Sequence, residues 1–217
     1  MLDTLIAYFK AATAIEYIGT VAGILGVWFS IKEKILTWPT FILCYSIYVF
    51  LAFQAGLYAN MVLNVIFIFI SFYGWWHWNH SHHDTTQTQQ AEGDRRAPIR
   101  HTTFTLWLKN IAFWILGTAV IGYLLDSQTQ AFQPYFDAFA TSVAFSAQWM
   151  LSKKYIGTWL CWLISDTIFI NLWALQGYWV TVGLFFTFMV LAVYGWRLWQ
   201  KALDTSAAQR SAETPNP

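Results

Sequence analysis

Charged side chains are scarce in this 217-residue chain: 12 Lys and Arg with 11 Asp and Glu make up only 11% of it. Typical soluble domains carry roughly 25%. With 57% of the residues hydrophobic and 20% aromatic, so few charges cannot cover the apolar surface of a soluble protein of this length. The formal net charge of +1 gives no reason to expect nucleic acid. Cysteine is nearly absent. Cys44 and Cys161 both lie inside apolar runs, so they offer neither a disulfide framework nor a metal spacing and read as small buried hydrophobes. A phosphate-cradling glycine loop, an H-E-x-x-H motif and a Ser–His–Asp set on one helix face are all missing. These absences speak against an enzyme and against a cofactor. The first 13 residues lack a positively charged start before an apolar core, so no cleaved signal peptide is expected. Leu5, Ile6, Tyr8 and Phe9 instead suggest a short interfacial segment over 1–13.

Long apolar runs are abundant. Seven stretches approach the ~20 residues needed to cross a bilayer: 14–31, 35–54, 58–77, 104–125, 134–151, 156–176 and 178–198. Residues 79–103, rich in His, Gln, Asp and Arg, form the one long polar loop, and 202–217 is expected to be a disordered tail. Numbering the helix ends alternately collects Lys32, Lys34, Arg95, Arg96, Arg100, Lys153, Lys154, Arg197, Lys201 and Arg210 on one side, with Lys109 just inside it; the other side has only Lys10. Cytoplasmic loops retain Lys and Arg, which places the N-terminus outside and the C-terminus inside a bacterial inner membrane.

The two ends of the chain repeat each other. At a displacement of 121 residues Thr20 matches Thr141, Trp28 matches Trp149, and Lys32 matches Lys153. Ile35, Thr37 and Trp38 match Ile156, Thr158 and Trp159, and Gly56 matches Gly177. Tyr73, Gly74, Trp75 and Trp78 match Tyr194, Gly195, Trp196 and Trp199. An apolar background produces chance Leu and Ile matches, not shared Trp, Gly and Lys. Three helices per repeat is an odd number, so a direct fusion would invert the second copy; the spare helix at 104–125 restores its orientation. The expected fold is therefore an all-α membrane protein of seven transmembrane helices. Two parallel three-helix repeats, 14–78 and 134–199, are joined by that linker helix (3+1+3). Such repeats typically rock around a midplane substrate site between them.

Ionisable groups deep in a spanning helix are costly, so each calls for a reason. Asp166 is the only acid in the middle of any of the seven runs. Trp159, Trp162, Asp166, Phe169 and Trp173 recur at three- and four-residue steps, which gives one aromatic face holding a carboxylate. The corresponding first-repeat face reads Trp38, Phe41, Tyr45, Tyr48 and Ala52. Aromatic walls around one negative charge suit a flat cation; a hydrogen bond from Asp166 to a neighbouring helix, with the aromatics as packing, is the alternative. Asn60, Asn64, Phe67, Ser71 and Trp75 share a face of the third helix. Its amides serve either a ligand or interhelical hydrogen bonds. Gln148 and Trp149 precede Lys153 by about one turn, and Gln148 stands opposite Val27, as Asn171 does opposite Phe50. Asymmetric polar positions in a symmetric scaffold are the better candidates. Glu16 and Asp137 read as solvated helix-end acids, and His77, His80, His82, His83 and Asp84 as an interfacial loop rather than a metal site. No Lys lies within 178–196, which disfavours a retinal-type photoreceptor.

Gln54-Ala55-Gly56-Leu57-Tyr58-Ala59-Asn60, Tyr73-Gly74-Trp75 with Trp78, and Gln148-Trp149 before Lys153-Lys154 resemble the PnuC-type nicotinamide riboside transporters, relatives of the SWEET sugar transporters. Trp159, Trp162 and Asp166, then Gly177 and Tyr194-Gly195-Trp196 with Trp199, extend the resemblance over about 17–201. It implies a 3+1+3 homotrimer that imports nicotinamide riboside by facilitated diffusion for NAD synthesis. An intracellular riboside kinase would trap the substrate. The substrate is a flat pyridinium cation on a ribose, so Trp162, Tyr48 and Trp149 are expected around ring or sugar. Asn60, Asn64, Gln148 and Asn171 become hydrogen-bond partners, and Asp166 a counter-charge or polar organiser. Another riboside, a sugar or a vitamin on the same scaffold is the alternative cargo, and a non-transporting membrane protein the alternative class.

Overall fold

A computed structural model of the protein describes residues 14–54, 58–80, 98–128, 132–175 and 179–213. Seven helices run through them: α1 (Ala14–Ile31), α2 (Thr37–Gln54), α3 (Tyr58–His80), α4 (Phe104–Gln128), α5 (Pro134–Ser152), α6 (Thr158–Leu175) and α7 (Trp179–Glu213). Helices are what an apolar chain in lipid must form, because each backbone amide and carbonyl then finds its partner within the segment. Among the described residues, Met61–His80, Phe104–Gln128, Thr158–Leu175 and Val182–Ser206 are long and apolar enough to cross a membrane, and Tyr17–Ile31 and Thr37–Phe50 are shorter apolar stretches. The architecture is that of a helical membrane protein. α5 is less apolar because it carries Ser142, Ser146, Gln148 and Ser152, all buried inside protein. Small and polar residues at a helix–helix contact permit close approach, whereas a lipid-facing surface would not favour them.

The helix boundaries follow local chemistry. Thr103 accepts a hydrogen bond from the Leu106 amide through its side-chain oxygen, 3.3 Å, at the start of α4, the role of an N-cap threonine. Pro134 opens α5 behind the left-handed Gln133, where a missing N–H costs nothing. One expectation is corrected at the far end: the tail from 202, anticipated as disordered, is helical as far as Glu213. Low hydrophobicity does not preclude a helix over residues 201–213, of which Leu203 is buried. Their Ala, Leu, Gln, Lys, Arg and Glu are good helix formers, and extending an existing helix carries no nucleation cost. The 1–13 segment and most of the 79–103 loop lie outside the described residues.

The chain divides into two compact units, residues 1–96 and 97–217. In the first, α1 packs on α2 and α2 on α3; in the second, α4 packs on α5, α5 on α6 and α6 on α7. The second unit also ties its entry segment down. The Arg100 amide donates to the Lys154 carbonyl at 2.9 Å and the Ile156 amide to the Arg100 carbonyl at 3.0 Å. The Gly157 amide donates to the Thr102 side-chain oxygen at 2.9 Å.

Several local geometries recur in both units at the 121-residue displacement. The α1–α2 turn has Glu33 in the left-handed region (φ 52°), and the α5–α6 turn has Lys154 there (φ 55°). The Glu33 amide donates to Ser30 and the Lys34 amide to Phe29; the Lys154 amide donates to Leu151 and the Tyr155 amide to Met150. Trp38 meets Trp78 edge-on at 5.1 Å and 88°, and Trp159 meets Trp199 at 5.2 Å and 84°. Each pair sits over a glycine. A Cβ on Gly74 would collide with the Trp38 ring, and one on Gly195 would lie 2.7 Å from Trp159.

Candidate functional site

The site residues read from the sequence are divided between the two units and lie at several heights along their helices; the level of Asp166 can be compared within each unit. In the first unit that level holds Tyr45, Tyr48, Asn64 and Phe67; in the second the matching positions are Asp166, Phe169, Phe185 and Phe188. Tyr45 lies 5.2 Å from Phe67 between ring centroids and stacks on Phe41 at 5.6 Å and 23°. Tyr48 shares a 3.3 Å hydrogen bond with the Thr20 hydroxyl, and Asn64 is buried. Where the first unit has Tyr48 and Asn64, the second has Phe169 against Phe185, 5.2 Å apart. The first unit therefore carries hydroxyl and amide groups at this level. The second carries a carboxylate among phenyl rings.

Asp166 is only 3% exposed, and no hydrogen bond or ion pair to it is found among the described residues. A buried carboxylate left in this state is expensive. Its neighbour Ser165 is fully buried and donates to the Ala140 carbonyl at 3.2 Å. That bond fixes α6 against α5 and with it the placement of Asp166. Gln148 is fully buried and held by contacts within the protein.

Trp162 packs against the apolar cluster of Trp114, Val143, Ala147, Met150 and Cys161. Trp149 is 40% exposed and stacks on Tyr155 at 6.2 Å and 23°. Asn171 is exposed, and its amide donates 2.7 Å to the Thr167 carbonyl of its own helix, so α6 turns Asn171 and Asp166 to different sides. Asn60 belongs to α3, but its side chain lies outside the described residues. The aromatic face of α6 is shared out: Trp159 and Phe169 pack on α7, through Trp199 and Phe185, while Trp162 packs toward α4 and α5.

Helical phase missed a polar set inside the second unit. The Trp114 indole N–H donates 2.8 Å to the Ser146 hydroxyl, and the Asn110 amide reaches the Met150 sulfur at 3.3 Å. The Thr158 hydroxyl donates 2.7 Å to the Ala147 carbonyl. The rule that singled out Gln148 finds Ser146 of this set as well, and Ser142 one turn before it, since they stand opposite Leu25 and Val21. Here the asymmetry serves the docking of α4. Cys44 and Cys161 are both free and buried, as expected of small hydrophobes. Among the described residues no group of His, Cys, Asp and Glu has the arrangement of a metal site.

Comparison with known proteins places this geometry. The crystal structure of the vitamin B3 transporter PnuC, 23% identical in sequence, superposes with a TM-score of 0.69 over 94% of this chain and 88% of its own, which shows the shared fold. The nicotinamide riboside transporter PnuC of Escherichia coli (strain K12) is 27% identical over 210 residues, covering 85% of this chain and 84% of its own. The protein of the same name from Neisseria mucosa is 23% identical over 217 residues, covering 96% and 80%. A family model described as nicotinamide mononucleotide transporter matches residues 13–201. This family consists of transporters rather than enzymes, and the chain belongs to it.

Proposed function

We propose that this protein imports nicotinamide riboside across the bacterial inner membrane for NAD synthesis. The relatives of known name are nicotinamide riboside transporters, whereas the family description speaks of the mononucleotide. The two cargoes differ by a phosphate. Asp166, buried and without a hydrogen-bond or ion-pair partner among the described residues, is the observation that supports the riboside. A pyridinium ring supplies the missing positive charge, and aromatic walls favour it further. A phosphate dianion beside the same carboxylate would be repelled.

In this reading Asp166 is the counter-charge and Trp162, Tyr48 and Trp149 surround ring or sugar. Asn60, Asn64 and Gln148 bond the ribose or carboxamide, and Asn171, exposed on another side of α6, contributes least. Two parallel three-helix repeats with α4 as linker carry out alternating access around a midplane site. The N-terminus lies outside, the C-terminus is cytoplasmic, and the working assembly is a homotrimer. With one buried acid and no cage of ligands for a driving ion among the described residues, the flow is uncoupled, and an intracellular kinase draws it inward by phosphorylating the riboside.

Calorimetric titration of the purified protein with nicotinamide riboside, nicotinamide mononucleotide and a neutral sugar tests the reading. Binding of the riboside at micromolar concentration or below, with the other two far weaker, is expected. Preference for the mononucleotide would reverse the assignment of the cargo, and sugar binding as tight as the riboside's would remove the role of charge.

A further inference from the structure

A second feature of the molecule has no part in carrying the riboside. At the end of the apolar run of α7, Val193, Trp196, Arg197, Gln200, Lys201 and Asp204 line a groove of about 430 Å³. Its composition changes along the helix. Val193 and Trp196 are apolar and more than a third exposed, and one turn further on the lining becomes cationic with Arg197 and Lys201, both exposed. Among the described residues neither cation has an acid within ion-pair distance. Asp204, the nearest candidate along the helix, instead accepts a 3.0 Å hydrogen bond from the Gln200 amide.

The charge is not a demand of the fold. At the matching positions of the first unit Trp76 stands for Arg197 and His80 for Lys201. Those two pack ring on ring at 5.1 Å, with the His80 Nδ1 3.0 Å from the Trp76 carbonyl. One helix end therefore covers itself with rings, and its counterpart presents two uncompensated cations beside an indole. The span Val182–Ser206 contains the groove near its end, at the depth where indoles anchor at the bilayer interface and basic pockets hold lipid phosphates.

We propose that this groove on α7 binds an anionic phospholipid, with the headgroup phosphate held by Arg197 and Lys201 and an acyl chain lying along Trp196 and Val193. Charge complementarity selects the anionic headgroup, and the apolar half of the groove selects a lipid over a free phosphate. The site is separate from the residues assigned to the riboside, and its loss leaves riboside affinity unchanged.

The test is native mass spectrometry of the full-length protein in micelles containing phosphatidylglycerol or phosphatidylcholine. Thermal unfolding in the same mixtures and in inorganic phosphate runs alongside. The wild type is expected to retain phosphatidylglycerol selectively, with a preference that weakens as salt is raised. R197Q/K201Q loses about fivefold in that preference per cation removed, while R197K/K201R keeps it. Equal retention of the two lipids by the wild type, or an undiminished preference in R197Q/K201Q, would overturn the proposal. So would stabilisation by inorganic phosphate equal to that by the lipid. The wild-type comparison stands alone if R197Q/K201Q does not fold.

Discussion

α1 and α5 hold matching positions at the 121-residue displacement, yet one shows its flank and the other hides it. In the first unit Tyr17, Ile18, Val21, Ala22 and Leu25 of α1 join Leu36, Pro39, Thr40 and Leu43 around an open apolar groove of about 590 Å³. The matching surface of the second unit, 121 residues on, is where α4 lies. Phe139 packs against Trp114 at 6.2 Å, Ser146 bonds its indole, and Val143, Cys161 and Ile164 complete the cluster around it. Val21 is 54% exposed, whereas its counterpart Ser142 is fully buried. The turns and the Trp-over-Gly contacts thus recur in both units while the flank changes character with what covers it. An open flank is built of Val, Leu and Ile; a flank pressed against another helix takes Ser, which permits close approach and supplies hydrogen bonds.

The largest effect expected from breaking this contrast is that of Ser146→Leu, which gives α5 the residue-type found at Leu25. It overpacks a buried contact and removes the Trp114 bond, at about 3 kcal/mol in all; the reverse exchange, Leu25→Ser, is expected to cost only about 0.5 kcal/mol at its half-open site. Thermal unfolding in detergent measures both, and equal losses would contradict the difference drawn between the flanks. Gly74→Ala and Gly195→Ala probe instead what the two units share. Each should lose about 2 kcal/mol, because Trp38 or Trp159 must give way, and a loss confined to one unit would show that the Trp-over-Gly contact is not equivalent in the two.

Smaller in energy and aimed at the proposed function, Asp166→Asn is expected to weaken riboside binding about tenfold, or roughly 1.4 kcal/mol. Tyr45→Phe, at the matching position of the first unit, should stay within about threefold. Unchanged affinity in Asp166→Asn would reduce the carboxylate to a structural polar group. Asn171→Ala is the mildest, with less than about a twofold change, since Asn171 is exposed and already bonded to its own helix. A large loss there would show that the exposed side of α6 takes part in the site.

The candidate site was legible only in part. Asp166 announces itself as an acid in the middle of an apolar run, and the structure buries it as that position requires. The α6 aromatics were harder to read. Trp159, Trp162, Phe169 and Trp173 recur at steps that put them on one broad face, but neighbours on two sides divide that face. α7 takes Trp159 and Phe169, and the cluster around Trp114 takes Trp162. Asymmetry between the repeats marked Gln148 and Asn171, and the same asymmetry marks Ser142 and Ser146, whose reason is the docking of α4.

From the sequence alone came the seven helices, all but the last close to both observed bounds, and the 121-residue register that recurs in turns and ring pairs. Both follow from local physics: backbone groups in lipid must be satisfied within each segment, and a duplicated stretch of sequence carries its short-range contacts with it. Only the tertiary structure decided which flank α4 covers, and which way Asn171 turns relative to Asp166. It alone shows that α7 continues to Glu213. Apolar side chains occur on surfaces facing lipid and facing protein alike, so their linear pattern does not say which neighbour each one meets, and only the packed structure does.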